Sequence, residues 1–180
     1  MGRRCVVIFP TEGEAAPFRR ISPDTEVFIC GVGQALSAAT TAQVIIEAKP
    51  DLLILAGIAG AYAESGLTRG EVCCVHIERE AMLPTRFAAA FQADVLPAGM
   101  RHVVSNTAPE TLIAAQGAAI ENMEGAAVIA LCQRLGVKVC ECRAISNYVG
   151  EPFEQWAIRE ATENLAEKLR EIIEWYQNKN

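Results

Sequence analysis

The chain has 180 residues, 51% of them hydrophobic and 21% charged, with a formal net charge of −6. This is the composition of a globular domain with a real core, expected here as a single domain over residues 1–180, and it excludes a disordered chain. No Lys/Arg stripe interleaves with aromatics, which excludes nucleic acid as a partner, and no apolar run reaches the roughly 18 residues of a membrane span.

In chain order, "CVVIF" (5–9), "EVFIC" (26–30), "DLLILAG" (51–57) and "EVCCVHI" (71–77) read as strands, nearly continuous in apolar residues as buried parallel strands are. "HVVSN" (102–106) and "KVCECRAIS" (138–146) extend the set. "QALSAATTAQVIIEA" (34–48) is a helix ending ahead of Lys49-Pro50, because the residue before proline avoids the α region. "EGAAVIALCQRLG" (124–136) is a second helix, closed by Gly136. The segment 154–177 places Trp156, Ile158, Ala161, Leu165, Leu169, Ile172, Ile173 and Tyr176 on one stripe of a third. Residues between Pro17 and Glu26 read as little more than a link. The stretch 79–100 is the least regular, either a ligand-covering segment or a plain loop. Alternating strands and helices predict an α/β fold, a largely parallel mixed central sheet flanked by helices.

The seven cysteines are an odd number, several lie in strand-like runs, and none has zinc spacing, so reduced core thiols are expected, with no metal and no cofactor. The N-terminal "MGRRCVVIFP" has too short an apolar stretch for a signal peptide and no cleavage site follows it, so a cytoplasmic location is expected. His76 and His102 show no partner spacing and read as structural.

In open α/β sheets ligands bind at the carboxyl ends of strands. Those ends here are Thr11 to Glu14, Gly31-Val32-Gly33, Gly57 to Gly60, Ser105-Asn106 and Ser146-Asn147, all polar or glycine-rich. "GVGQAL" (31–36) is not a dinucleotide motif: Leu36 stands at the third glycine position, and no acidic residue ends a strand about 20 residues on. Gly31 and Gly33 can still offer backbone N–H groups to an anion or a water, or simply make a tight turn, and Gly57 allows close backbone approach. By themselves Glu14 and Glu124 read as first-turn helix carboxylates or as ligand-facing groups. Arg143, inside an apolar strand, requires a carboxylate or a ligand, because an unpaired buried charge is costly. Asn147 is a turn residue or a ligand contact.

The segments "CGVG", "AGIAGAY" with "GEV" at 70–72, "NMEGAAV" and "RAISN" occur in this order. The chain thereby resembles the nucleoside phosphorylase and nucleosidase superfamily over residues 5–165, with "MEGAAV" followed by "RAISN" as the specific part. The resemblance implies that family's fold and cleavage of the N-glycosidic bond of a purine nucleoside. It implies Glu124 on the ribose hydroxyls with Met123 packed on the sugar, and Glu14, with Glu12 close by, as general base for the attacking water. Asn147 would contact the purine, Arg143 and Ser146 would order the site, and Cys30 stands where a small hydroxyl residue often holds the water. Relatives that hydrolyse adenine nucleosides usually carry an aspartate at the Asn147 position. An amide cannot protonate the base but can donate to O6 or N7, which suits a 6-oxopurine; a missing buried partner costs about 1–3 kcal/mol. The loops "PTEGEAAP" and "LAGIAGAY" hold no Arg or Lys to seat a phosphate dianion, so water is the expected nucleophile. The family commonly dimerises, and a homodimer or higher homo-oligomer is expected.

Overall fold

The computed structural model describes residues 3–111 and 114–178. Strands β1 (Cys5–Phe9), β2 (Glu26–Ile29), β3 (Leu52–Ala61), β4 (Val72–Glu80), β5 (Ala89–Gln92), β6 (Arg101–Thr107), β7 (Ile120–Asn122) and β8 (Lys138–Tyr148) form one mixed sheet. Helices α1 (Glu12–Ile21), α2 (Gln34–Ala48), α3 (Gly125–Leu135) and α4 (Ile158–Asn178) flank it.

β1 pairs in parallel with β2 and β3, and β3 in parallel with β8. β8 then meets β4 antiparallel, β4 meets β6 parallel, β6 meets β7 parallel, and β7 returns antiparallel to Gly60 and Ala61 of β3. The circuit β3–β8–β4–β6–β7 therefore closes on itself, and closure removes the exposed strand edges of these five strands. Side-chain alternation divides the core. Cys5, Val7 and Phe9 of β1 pack toward α1 and α4, whereas Val6 and Ile8 pack toward α2 and α3. Inside the closed circuit lie Ala59, Ala61, Cys73, Val75, Val103, Ile120 and Ile145.

The α/β fold with a largely parallel mixed sheet is the one expected from the sequence. Helix α2 has the predicted bounds, and Gly136 closes α3 in the left-handed region at φ 70°. Three readings need correction. Residues 17–21 are helical: α1 runs through Pro17 because Thr11 caps its start and Ala15 and Phe18 bury against the core. The stretch 79–100 carries β5 and the ends of its neighbours rather than loop alone. Trp156 does not belong to the α4 stripe, since the helix begins at Ile158 after a 3-10 turn at Phe153–Gln155.

All seven cysteines are free and buried. The register pair Cys74↔Cys142 brings Cys74, Cys140 and Cys142 together, with sulfur atoms within 4.8 Å of one another. Among the described residues, no helix is long and apolar enough to cross a membrane.

Candidate active site

A cavity of about 300 Å³ opens at the carboxyl ends of β1, β3 and β8, lined among others by Glu14, Met123, Glu124, Arg143, Ser146 and Asn147. This is within the size range of small-ligand pockets. The glycines expected to hold the water sit just behind it: Gly33, in the left-handed region at φ 88°, gives its N–H to Glu124 Oε1 at 3.0 Å. Cys30 and Gly31 are not among the lining residues, and burial pushes the Cys30 thiol up to about 12, with Glu124 adding to the effect.

Glu14 is buried, not solvated. Thr11 Oγ1 donates to its Oε1 at 2.7 Å, and the Ile58 N–H donates to its Oε2 at 2.9 Å. Burial raises its carboxyl above the ordinary value, against the opposing pull of the Ile58 N–H, Thr11 and Arg143. Glu12 points elsewhere, exposed and 3.6 Å from Arg19. The close approach at Gly57 has a steric cause. A Cβ there would lie 2.7 Å from Arg143 Nη1 and 2.9 Å from Glu14 Oε2, so only glycine lets both groups reach the strand end.

Glu124 stands at the N-cap position of α3, yet its carboxylate makes no capping bond. Asn122 does that work, its Oδ1 accepting from the N–H groups of Glu124 and Gly125, while Thr107 Oγ1 accepts from Ala126 N. With the helix start satisfied, Glu124 is released to bridge Gly33 N–H and Arg143. Asn122 carried no distinctive signal in the sequence, because a lone Asn before a helix is an ordinary cap.

Arg143 is fully buried, and its five N–H groups all have acceptors. Nε donates to Glu141 Oε1 at 2.9 Å; Nη1 donates to Ile58 O and Glu124 Oε2; Nη2 donates to Asn122 Oδ1 and Glu124 Oε2. Burial alone would lower its pKa, but Glu141 and Glu124 hold it above the ordinary value. Glu141 lies two residues earlier on β8, hence on the same face.

Ser146 Oγ donates to Asn147 Oδ1 at 2.7 Å, and Asn147 Nδ2 donates to Tyr148 O at 3.0 Å. Among the described residues, one of the two Asn147 Nδ2 N–H groups is thus engaged. Met123 is part-exposed at the cavity wall. Sequence reading missed Phe153 and Trp156, whose rings lie 5.2 Å apart at 51° and line the same cavity. It also missed Glu121, which accepts from Tyr62 OH at 3.0 Å.

The chain is similar to known proteins in sequence and in fold. The Phosphorylase superfamily model matches residues 79–174. Futalosine hydrolase of Thermus thermophilus is 30% identical over 177 residues, covering 79% of this chain and 78% of that protein. Among solved structures, the apo 5′-methylthioadenosine nucleosidase of Arabidopsis thaliana superposes with a TM-score of 0.85 at 19% identity, covering 100% of this chain and 98% of that one. A futalosine hydrolase mutant of Helicobacter pylori gives 0.82 at 14% identity, covering 96% of this chain and 99% of that one. The chain belongs to the phosphorylase superfamily. Within it, the protein is an enzyme, an N-ribosyl hydrolase.

Proposed function

We propose that the protein hydrolyses the N-glycosidic bond of futalosine, releasing hypoxanthine and dehypoxanthinyl futalosine on an alternative route to menaquinone. One observation carries this reading. Two buried carboxylates face a cavity in which, among the described residues, Arg143 is the one cationic lining residue, with every N–H engaged within the protein. Such a cavity offers a base and negative charge but no seat for a phosphate dianion.

Cleavage passes through a sugar of oxocarbenium character, which nearby negative charge stabilises. Glu124 holds the ribose hydroxyls with its carboxylate fixed by Arg143 and Gly33, and Met123 packs on the sugar. Glu14 takes the proton of the attacking water; its ionised form is the working one. The second N–H of Asn147 donates to O6 or N7 of the departing base as negative charge grows there, with Ser146 fixing the amide. An amide in that position favours a 6-oxopurine over adenine. The identity to futalosine hydrolase of Thermus thermophilus supports the same substrate. Phe153 and Trp156 at the mouth supply aromatic surface to the ligand. Val32, Leu36, Met123 and Phe153 are exposed apolar side chains, three of them lining the cavity, and they suit contact with a second copy of the chain. Light scattering at micromolar concentration tests that dimer, and a monomer mass refutes it.

The deciding assay follows base release chromatographically from futalosine, inosine, adenosine and methylthioadenosine, with and without phosphate. Phosphate-independent hypoxanthine from futalosine is expected. Adenine from methylthioadenosine at the higher kcat/KM, or a requirement for phosphate, overturns the reading.

A further inference from the structure

Beneath the Arg143–Glu124 pair lies a second pair of acids that the mechanism does not use. Glu78 on β4 and Glu141 on β8 are both fully buried. They converge under the start of α3, where a Cβ on Gly125 would lie 2.6 Å from Glu78 Oε2 and 2.8 Å from Glu141 Oε1. Two ionised carboxylates are acceptors only and repel one another, so neither can satisfy the other. A proton on one of them would turn that repulsion into a donor and an acceptor.

The surrounding donors decide where it belongs. Glu141 Oε1 takes Arg143 Nε at 2.9 Å, while Glu141 Oε2 has no hydrogen-bond partner among the described residues. Glu78 accepts from neutral groups, Thr107 Oγ1 at 2.7 Å and Asn122 Nδ2 at 2.9 Å. Asn122 Nδ2 also donates to Ser105 Oγ at 2.9 Å, which ties β6 into the same network. We propose that Glu78 is a positioning residue held as a neutral acid, whose proton satisfies Glu141 and so keeps Glu141 on Arg143, and Arg143 on Glu124. Its importance for turnover rests on the reading of Glu124 as the ribose-holding group.

The charges agree. The titratable and charged groups facing Glu78 are Glu141 and Arg143 from β8 and Glu124 from the head of α3. With Glu78 neutral, two carboxylates flank one guanidinium; ionising Glu78 adds a second uncompensated negative charge in a fully buried cluster. Burial first, then the Glu141 charge, push Glu78 well above the usual carboxylate range. As pH rises through that raised value, the pair gains a charge, Glu141 loses its donor and the grip on Arg143 loosens.

Infrared spectroscopy and kinetics of E78Q and E78A test this. Glutamine supplies an N–H to Glu141 and cannot ionise; alanine supplies nothing. A carbonyl stretch of a neutral carboxylic acid is expected in the wild type at neutral pH and absent in E78Q, a readout that needs no substrate. In the base-release assay, E78Q should keep kcat/KM within about threefold and lose the alkaline fall seen in the wild type, while E78A raises KM at least tenfold. No neutral-acid band, a band that survives in E78Q, or equal losses in E78Q and E78A would overturn the proposal. A band that E78Q abolishes, in a protein releasing no base from any nucleoside, refutes the functional reading and leaves the shared proton standing.

Discussion

Arg143 grips Glu124 with both terminal nitrogens, Nη1 and Nη2 each donating to Oε2 at 3.2 Å, while Gly33 N–H holds the other carboxylate oxygen at 3.0 Å. The carboxylate is thereby fixed at one wall of the cavity with no freedom to swing onto its own helix. Pre-organised charge of this kind acts on a developing cation without reorganising during reaction.

Breaking that grip from the cationic side is costly. Arg143→Met leaves Glu124 and Glu141 buried without their counter-ion, and loss of one partner of a buried pair costs about 3–5 kcal/mol. Denaturant unfolding is expected to show a fall of this size, with base release below a hundredth of wild type.

Glu14→Gln should lower kcat at least a hundredfold while calorimetric affinity for a nucleoside stays within about tenfold, because the amide keeps the shape and loses the base. Glu12→Gln is the control. Glu12 is exposed beside Arg19, and its variant should turn over within twofold of wild type. Equal losses in the two variants would remove Glu14 from the mechanism.

The acid limb of kcat/KM should lie above 4.5, the ordinary carboxylate value, because burial raises Glu14. Activity falls as pH drops through the raised value and the base becomes protonated. The stability sign is opposite. Folded Glu14 and Glu78 bind protons more readily than their unfolded counterparts, so between 4.5 and their raised values the native state holds more protons. Stability then decreases as pH rises across that window. Chemical denaturation at several pH values measures it, and Glu78→Gln should flatten the dependence.

Gly57→Ala places a methyl 2.7 Å from Arg143 Nη1 and 2.9 Å from Glu14 Oε2. Overpacking of this kind costs about 1–3 kcal/mol. The expected result is a drop in thermal midpoint together with at least a tenfold loss in kcat/KM, since both displaced groups serve the cavity.

Phe153→Ala should raise KM about tenfold and change kcat less than threefold, as expected for aromatic surface that meets the ligand away from the reacting bond. Phe153 is exposed at the mouth and touches Trp156, so folding should be unaffected. An unchanged KM would remove the ring from the binding surface.

Several features were legible in one dimension because they rest on local periodicity or on short motifs. Continuous apolar runs mark β1, β3 and β8, the helical repeat marks α2 and α4, and Gly136 marks the end of α3. The cost of an unpaired arginine already required Arg143 to have a carboxylate. The strand ends carrying Glu14, Gly33, Gly57 and Asn147 identified the side of the sheet on which the cavity opens.

What only the tertiary structure decided depends on contacts between distant residues. Glu12 and Glu14 share a helix turn and a charge; burial against Ile58 and Thr11 separates their roles. Glu124 reads as a helix cap until Asn122 and Thr107 take that task and free its carboxylate. Trp156 has the spacing of a core stripe, but the 3-10 turn before α4 carries it into the cavity wall. Glu78 lies 63 positions from Glu141 (141 − 78) and shows no pattern in sequence; the register of β4 on β8 and the missing side chain of Gly125 bring the two acids together. Local sequence sets which face a side chain takes, through periods of 2 and 3.6 residues. The proton and charge balance of a buried site is set by which faces then meet, and that is a property of the closed sheet.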